Sequence, residues 1–576
     1  MKEMLDLLPR AFRRRGVWVA ATLLLRAALN LVGLAMLLPV LMLALDTRAA
    51  EQTGPLGRIC SAAGFASPRA FALAVCAAVV AVIALKCLAC FALSRVERRY
   101  IHDLYRTLSR RLLVAYHDRG LPYIKQMNSS VLGRNVNVVT MQFTAGVLKP
   151  AATICAEGMM LLLLFGALTL YAPAAALLSA AVFLPAAWGY YALVRRRIDR
   201  YGSEENRAQR EKARLVAETF RGYAEIEING AFGRMLRAFD RATDEVIRTR
   251  AKEADVGQLP RIVTETGLAL GMALLAALSL WRTDGQGQLM FGIFAVAALR
   301  LMPSVRNILS GWTTIRYNRH SIRMLHEALA DAPDADAAFP VFPADCGPAN
   351  GDPLPFEREI TLRGVGFRYP DGGGELFGRG LDLTIRKGER IGIRGRSGAG
   401  KTTLFNLLLG LYRPTAGKIE IDGTPLTPDL CRAWQRRLGY VSQTLFIADG
   451  TFAANIALGE ADEAIDRQRI AEAVEAAQLG EFIASLPRGI DTPVGECGCR
   501  LSGGQRQRIG IARALYRRAD VLFFDEATSA LDSLTEAEIT RSIGRIASQR
   551  PGLTILMIAH RESSLEGCDR IITLER

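Results

Sequence analysis

The chain has 576 residues, half of them hydrophobic and 22% charged, with a formal net charge of +15. That length is too great for one core, so two or more domains are expected. The basic excess flanks long apolar runs and forms no isolated tract interleaved with aromatics, which favours membrane topology over a nucleic-acid partner.

Residues 1 to 15 mix Leu5, Leu7, Leu8 and Phe12 with Lys2, Arg10, Arg13, Arg14 and Arg15, a pattern suited to a short helix lying on the inner membrane surface. A secretory signal is the competing reading. It fails because the apolar run from Val17 to Leu45 far exceeds an h-region and ends without a small-residue cleavage motif. Six apolar stretches supply the roughly 20 residues that cross a bilayer, at about 17–45, 70–94, 146–170, 172–194, 262–281 and 289–311. Arg13 to Arg15 before the first, Arg95, Arg98 and Arg99 after the second, and Arg195 to Arg197 after the fourth place those ends in the cytoplasm, and both termini with them. The first outer loop, 46–69, is long enough for a short structured segment.

Between spans two and three, and again between four and five, roughly fifty to seventy residues of charged sequence read as long cytoplasmic helical extensions. Each is interrupted where a short transverse helix fits, at Arg119-Gly120-Leu121-Pro122-Tyr123 and at Arg221-Gly222-Tyr223-Ala224; a plain helical hairpin is the alternative. The scattered cysteines include Cys76, Cys87, Cys90 and Cys155 inside apolar runs, where Cys acts as a small hydrophobe. Neither Cys87-x-x-Cys90 nor Cys497-x-Cys499 has a second ligand pair in sequence, so no zinc or redox centre is expected and reduced thiols are the default. A shift to Ala, Pro, Asp and Gly marks residues 331–356 as a linker between a transmembrane domain, 1–330, and a second domain, 357–576.

In the second domain strands alternate with helices, as a layered α/β fold requires. Tyr369 ends an early strand, placed to stack on an adenine ring. Gly395-Arg396-Ser397-Gly398-Ala399-Gly400-Lys401-Thr402 fits G-x-x-x-x-G-K-[ST] between the strand carrying Ile391 and Ile393 and a helix beginning Thr403-Leu404. Gly395, Ser397, Gly398 and Gly400 let backbone N–H groups turn onto phosphate oxygens at a helix N-terminus, where Thr403 also lies. Lys401 then reaches the β/γ-phosphates and the Thr402 hydroxyl is placed for Mg²⁺. Val521-Leu522-Phe523-Phe524 delivers Asp525 and Glu526 at a strand end, a costly arrangement unless the carboxylates work on a metal or a water. Asp525 suits Mg²⁺ and Glu526 suits polarising a water. A second apolar strand, Thr554 to Ala559, delivers His560 to the same edge.

Leu501-Ser502-Gly503-Gly504-Gln505 is similar to the signature of ATP-binding cassette (ABC) proteins. Gln443 resembles that family's Q-loop, Ser529-Ala530-Leu531-Asp532 its D-loop and His560 its switch histidine, in matching order over 357–576. Six spans fused ahead of one such domain resemble a half-transporter of the exporter type. The resemblance implies an ATPase with Ser502, Gly503, Gly504, Gln505 and Gln443 at the nucleotide, Gln443 also at the metal, and Glu526 and His560 in catalysis. It further implies a homodimer in which the phosphate loop of one copy faces the signature of the other. The Cys497 approach to the signature departs from the family, and the chain stops soon after its last strand, so no further C-terminal module is expected.

Charges within spans are expensive and need partners or a substrate. Arg300 falls at mid-depth in span six, Lys86 in the inner part of span two, and Arg261 opens span five, with Glu157 and Glu265 as available counter-ions. Structural pairing is one reading. The other rests on Pro260-Arg261-Ile262 with Glu265 and on Leu299-Arg300-Leu301-Met302-Pro303-Ser304, which resemble segments of bacterial lipid-linked oligosaccharide flippases. That resemblance implies that Lys86, Arg261 and Arg300 bind the pyrophosphate of a polyprenyl-linked saccharide moved across the bacterial inner membrane, with Lys86 where the family has Arg. Export of another amphiphile and an ATP-gated channel or regulatory ATPase stay open as alternatives.

Overall fold

The computed structural model of the chain describes residues 2–36, 68–171, 173–281, 286–330, 353–369, 374–526, 533–559 and 565–575. Most of the expected first outer loop, 46–67 of 46–69, and most of the expected linker lie outside the described residues. Two compact units form, one of residues 1–118 with 126–338 and the other of 119–125 with 339–576.

The first unit is helical. It comprises α1 (Lys2–Asp6), α2 (Arg10–Ala35) and α3 (Pro68–Asp118), then a nearly continuous run of α5 (Ser129–Arg134), α6 (Thr140–Phe143) and α7 (Lys149–Tyr171). It closes with α8 (Pro173–Arg221), α9 (Tyr223–Ile228), α10 (Phe232–Trp281), α11 (Gln286–Tyr317) and α12 (Arg319–Leu329). Short helices are present at both expected interruptions: α9 follows Gly222, and α4 (Gly120–Gln126), most of which belongs to the second unit, begins at Gly120 with φ 74°.

Among the described residues three helical runs, Arg10–Gly33, Ala70–Asp118 and Ser129–Leu170, are long and apolar enough to cross a bilayer. Their surfaces fit that solvent, with Trp18, Leu73, Val80, Leu85, Leu88, Leu162 and Leu170 all exposed. An apolar surface this continuous is untenable in water, and the chain is a membrane protein.

Beyond the apolar stretches the helices pack through ordinary buried stripes. Leu104, Leu108 and Leu112 of α3 recur every fourth residue and are fully buried, as are Val139, Phe143 and Val147 in the run that α3 packs against. That run is not the plain helix its periodicity predicts, because Asn135–Val139 and Thr144–Leu148 are π-type turns. Hydroxyls cover backbone carbonyls around them: Thr144 donates to the Thr140 carbonyl at 3.0 Å, and Ser109 of α3 donates to the Val136 carbonyl at 3.1 Å.

A deeper polar cluster ties α8, α10 and α11. Glu205, 5% exposed, accepts from the Tyr317 hydroxyl at 2.6 Å and from Arg250 Nε at 2.8 Å. Burial works against its carboxylate, yet those donors outweigh it and hold Glu205 below the usual carboxylate range, while burial and Glu205 push the Tyr317 hydroxyl up. Backbone approach sets the packing here, since a Cβ added to Gly202 would sit inside the Tyr317 carbonyl. Gly202→Ala is therefore expected to cost about 1 to 3 kcal/mol and lower the melting midpoint of the detergent-solubilised protein by several degrees. An unchanged midpoint would show that α8 and α11 can part there without loss.

The second unit is layered. An antiparallel sheet in the order β2-β1-β4-β5 is built from β1 (Glu359–Arg368), β2 (Glu375–Arg386), β4 (Ala416–Ile421) and β5 (Thr424–Pro425). A parallel sheet in the order β6-β7-β8-β3-β9 joins β3 (Arg390–Gly395), β6 (Leu438–Val441), β7 (Val521–Asp525), β8 (Thr554–Ile558) and β9 (Arg570–Leu574). Every residue of β7 is buried, as a central parallel strand covered on both faces must be. One core lies under β1, β3 and α13 (Lys401–Leu408), with Trp434 fully enclosed and its indole N–H bonded to the Leu408 carbonyl at 2.8 Å. A second core gathers Phe452, Ile456, Ile470 and Leu479 against α18, Gly503–Tyr516. Between α13 and α18 lie α14 (Pro428–Gln435), α15 (Phe452–Ile456), α16 (Arg467–Ala476) and α17 (Gly480–Ala484), and α19 (Ser533–Gln549) precedes β8.

Candidate functional site

The phosphate loop leaves β3 at Gly395 and enters α13 at Lys401. Gly398 and Gly400 take φ of 82° and 91°, a region open to glycine, and Gly400 is the cap residue of the helix. Ala399 is buried beneath the loop while Ser397 and Gly398 face outward. Lys401 crosses the loop, its Nζ donating to the Gly395 carbonyl at 2.8 Å and to the Arg396 carbonyl at 3.4 Å. The ammonium is thus held over the same backbone whose N–H groups a phosphate would meet.

β7 runs beside β8, which pairs β3, so the end of β7 comes to the loop. Asp525, 1% exposed, lies with Oδ1 3.4 Å from the Thr402 hydroxyl. Burial and then the neighbouring Glu526 raise its carboxyl above the usual range. The Asp525 carboxylate, the Thr402 hydroxyl and the Gln443 side-chain amide supply oxygens of the kind a hard divalent cation takes, and a raised acid is what such a cation would relieve, so the residues fit Mg²⁺. Glu526 sits in left-handed backbone at φ 51° and accepts from Gln443 Nε2 at 2.6 Å. The structure therefore brings Lys401, Thr402, Gln443, Asp525 and Glu526 together around one loop.

Tyr440 on β6 was missed by sequence reasoning. It hydrogen-bonds Asp525, and burial together with Asp525 pushes its hydroxyl well up. Only its place one residue before a strand end, on the strand leading to Gln443, could have signalled it. Tyr369 donates to or accepts from the Thr403 hydroxyl at 2.6 Å and meets Phe367 edge-on at 5.0 Å between centroids. Its ring is half-buried in an aromatic cluster with Tyr412.

The signature opens α18. Ser502 caps the helix, accepting from Gln505 N–H at 3.2 Å, while Gln505 Oε1 accepts from Ser502 N–H at 2.8 Å. Ser502 is exposed, and Gly503 and Gly504 follow as the first helical residues. The expected D-loop, Ser529 to Asp532, and His560 lie outside the described residues.

The three cations expected within spans do not share one environment. Arg261 pairs with Glu265 one turn away at 2.7 Å. Arg300 approaches Glu157 at 3.7 Å, and the same carboxylate accepts from Ser304 at 2.7 Å and Asn307 at 3.0 Å. Lys86 is half-buried against Gly33 and has no acidic partner at ion-pair distance among the described residues. A fourth charge went unnoticed in the sequence: Arg26 on α2 pairs with buried Glu97 on α3 at 2.9 Å.

A phosphate loop closed by strand-end carboxylates, a capped Ser-Gly-Gly-Gln helix in the same unit and a bundle of apolar helices define an ABC-type nucleotide-binding domain on a membrane protein. Residues 379–529 match the family described as ABC transporter. The chain is 34% identical over 403 residues to a protein of Ralstonia nicotianae named ATP-dependent lipid A-core flippase, covering 69% of this chain and 65% of that one. A protein of the same name from Bordetella pertussis is 32% identical over 421 residues, 73% of this chain and 65% of its own length. The match thus spans just under two thirds of these relatives. Among solved structures, that of a bacterial Atm1-family ABC exporter with ATP bound superposes with a TM-score of 0.77 at 25% identity, over 98% of this chain and 93% of that one. The chain has the domain content and the fold of an exporter-type ABC half-transporter.

Proposed function

We propose that two copies of this chain form an ATP-driven translocase in the bacterial inner membrane, with the ATPase domains and both termini cytoplasmic, and that it moves an amphiphilic glycolipid bearing phosphate. The observation that carries this reading is the convergence of Lys401, Thr402, Asp525, Glu526 and Gln443 on one loop in a chain whose other half is apolar helix.

Lys401 exchanges its loop carbonyls for phosphate oxygens, a charge-assisted contact. Thr402, Asp525 and Gln443 would hold Mg²⁺, which when bound neutralises phosphate charge. Gln443 orients the Glu526 carboxylate, which takes the proton of the attacking water. Ser502 with the N–H groups of Gly503 and Gly504 offers a helix N-terminus to the phosphates held by the partner copy, and the family resemblance gives His560 a catalytic role with them. Tyr369 offers its ring to the base.

For the cargo, the relatives' names support a lipid A-core, and the segments around Arg261 and Arg300 support a polyprenyl-pyrophosphate saccharide; both carry sugar and phosphate on a lipid. The pairing of Arg261 with Glu265 and of Arg300 with Glu157 favours a structural share in their role, which leaves Lys86 as the cation best placed to meet phosphate. The test is reconstitution into liposomes with labelled lipid A-core, labelled polyprenyl-pyrophosphate saccharide and labelled phosphatidylethanolamine, each with and without ATP. Lys86→Ala is expected to lower ATP-dependent flipping of a phosphorylated glycolipid by about tenfold or more, the equivalent of one charge-assisted hydrogen bond, with basal ATPase retained. Equal flipping by the variant, or equal movement of the phosphatidylethanolamine, would return the cargo to a general amphiphile.

A further inference from the structure

The approach to the signature carries two thiols that ATP handling does not use. Cys497 and Cys499 are both exposed and both free, separated by buried Gly498. Cys497 adopts φ 51° and ψ 20°, Gly498 follows at φ 66°, and Cys499 N–H bonds the Glu496 carbonyl at 3.1 Å. Two successive left-handed residues closed by that bond form a type I′ turn, whose first central position belongs to Asn, Asp or Gly. A cysteine is disfavoured there, because its Cβ crowds the following carbonyl in left-handed backbone, and strain of this kind gathers at functional sites. Cα atoms two residues apart in a turn lie about 5 to 6 Å from each other, inside the span a disulfide bridges. Among the described residues no third His, Cys, Asp or Glu completes a metal site with them.

We propose that Cys497 and Cys499 are a modification site for hydroperoxides, whose oxidation shuts down the adjoining signature. One thiolate attacks the peroxide: the S–O bond forms, the O–O bond breaks, and the alcohol, or water from hydrogen peroxide, leaves with the thiol's proton. The second thiolate attacks the resulting sulfenic sulfur, the S–S bond forms and hydroxide leaves as water. Two thiols are oxidised and one hydroperoxide is reduced. A ring closed over a single intervening residue is strained and so readily reduced again, as a reversible switch requires.

The turn is coupled to the signature by chain and by packing. Leu501 N–H bonds the Gly498 carbonyl at 3.0 Å, Leu501 is buried in the helical core, and the next residue is the Ser502 cap. Redrawing the turn moves the Gly498 carbonyl and with it the start of α18. This effect on turnover rests on the proposed ATPase reading, but the chemistry at the thiols does not.

The test treats the full-length reconstituted protein with hydrogen peroxide, blocks free thiols with N-ethylmaleimide and digests with trypsin, which releases both cysteines on one peptide, Gly489 to Arg500. The expected peptide is unalkylated and lighter by two hydrogens, ATPase falls by about fivefold, and dithiothreitol restores both. Cys497→Ser and Cys499→Ser are expected to match the untreated wild type and to resist peroxide. A doubly alkylated peptide after treatment overturns the site; a disulfide with ATPase unchanged, or Ser variants still inhibited, overturns the coupling. Absence of ATPase in untreated protein would count against the function proposed above, and the peptide mass would still decide the thiol pair.

Discussion

Glu526→Gln is expected to cut ATP turnover by about 10² to 10⁴-fold while ATP binding persists, because a carboxylate at a strand end beside a phosphate loop is the group that takes the water's proton. The substitution preserves shape and keeps a partner for Gln443, whose Nε2 lies 2.6 Å from Glu526 Oε2. It also removes the like charge that helps raise Asp525, so affinity for Mg²⁺-ATP should hold or change little. Steady-state phosphate release alongside binding of a fluorescent ATP analogue checks both halves. Wild-type turnover would remove Glu526 from catalysis, and lost binding would make it a nucleotide ligand.

Mixing wild-type with Ser502→Arg chains is expected to depress activity below simple dilution. Ser502 caps α18 and is exposed, so its hydroxyl and the following N–H groups are available to a second copy. With equal amounts of freely exchanging chains, about a quarter of symmetric dimers are wild type throughout, and if both sites must work the activity per total protein falls to about that fraction. Residual activity of one half would mean independent chains. A melting measurement on the variant alone guards against simple loss of the cap, whose removal costs about 1 kcal/mol.

Much of the candidate site's geometry was legible because it is local. Gly398, Gly400 and Lys401 are fixed by a loop of eight residues, and Ser502 with Gln505 by one helical turn, so spacing carries the geometry. The apolar run of β7 announced a strand ending in two carboxylates for the same reason. Tyr440 was not legible, since its bond to Asp525 depends on β6 pairing β7, a register no local pattern states. The charges of the helical unit divide likewise. Arg261 and Glu265 are one turn apart and their pairing was open to view, whereas Arg26 with Glu97 joins helices 71 positions apart. The π-type turns at 135–148 escaped because their carbonyls are covered by hydroxyls such as Ser109 of another helix.

Helix α10 runs fifty residues, Phe232–Trp281, with Pro260 inside it. At about 1.5 Å per residue it is roughly 75 Å long, more than twice the hydrocarbon thickness of a bilayer, and the arm before Pro260 accounts for about 42 Å of that. Such an arm is a lever. Swinging it by about 5° about Pro260, where the missing N–H removes one link of the backbone ladder, displaces its tip by nearly 4 Å. That travel is comparable to the depth of a side chain, so a bend of a few degrees at one proline is matched in scale to the gain or loss of a whole layer of contacts at the far end of the same rod, with no residue in between having to move far from its neighbours.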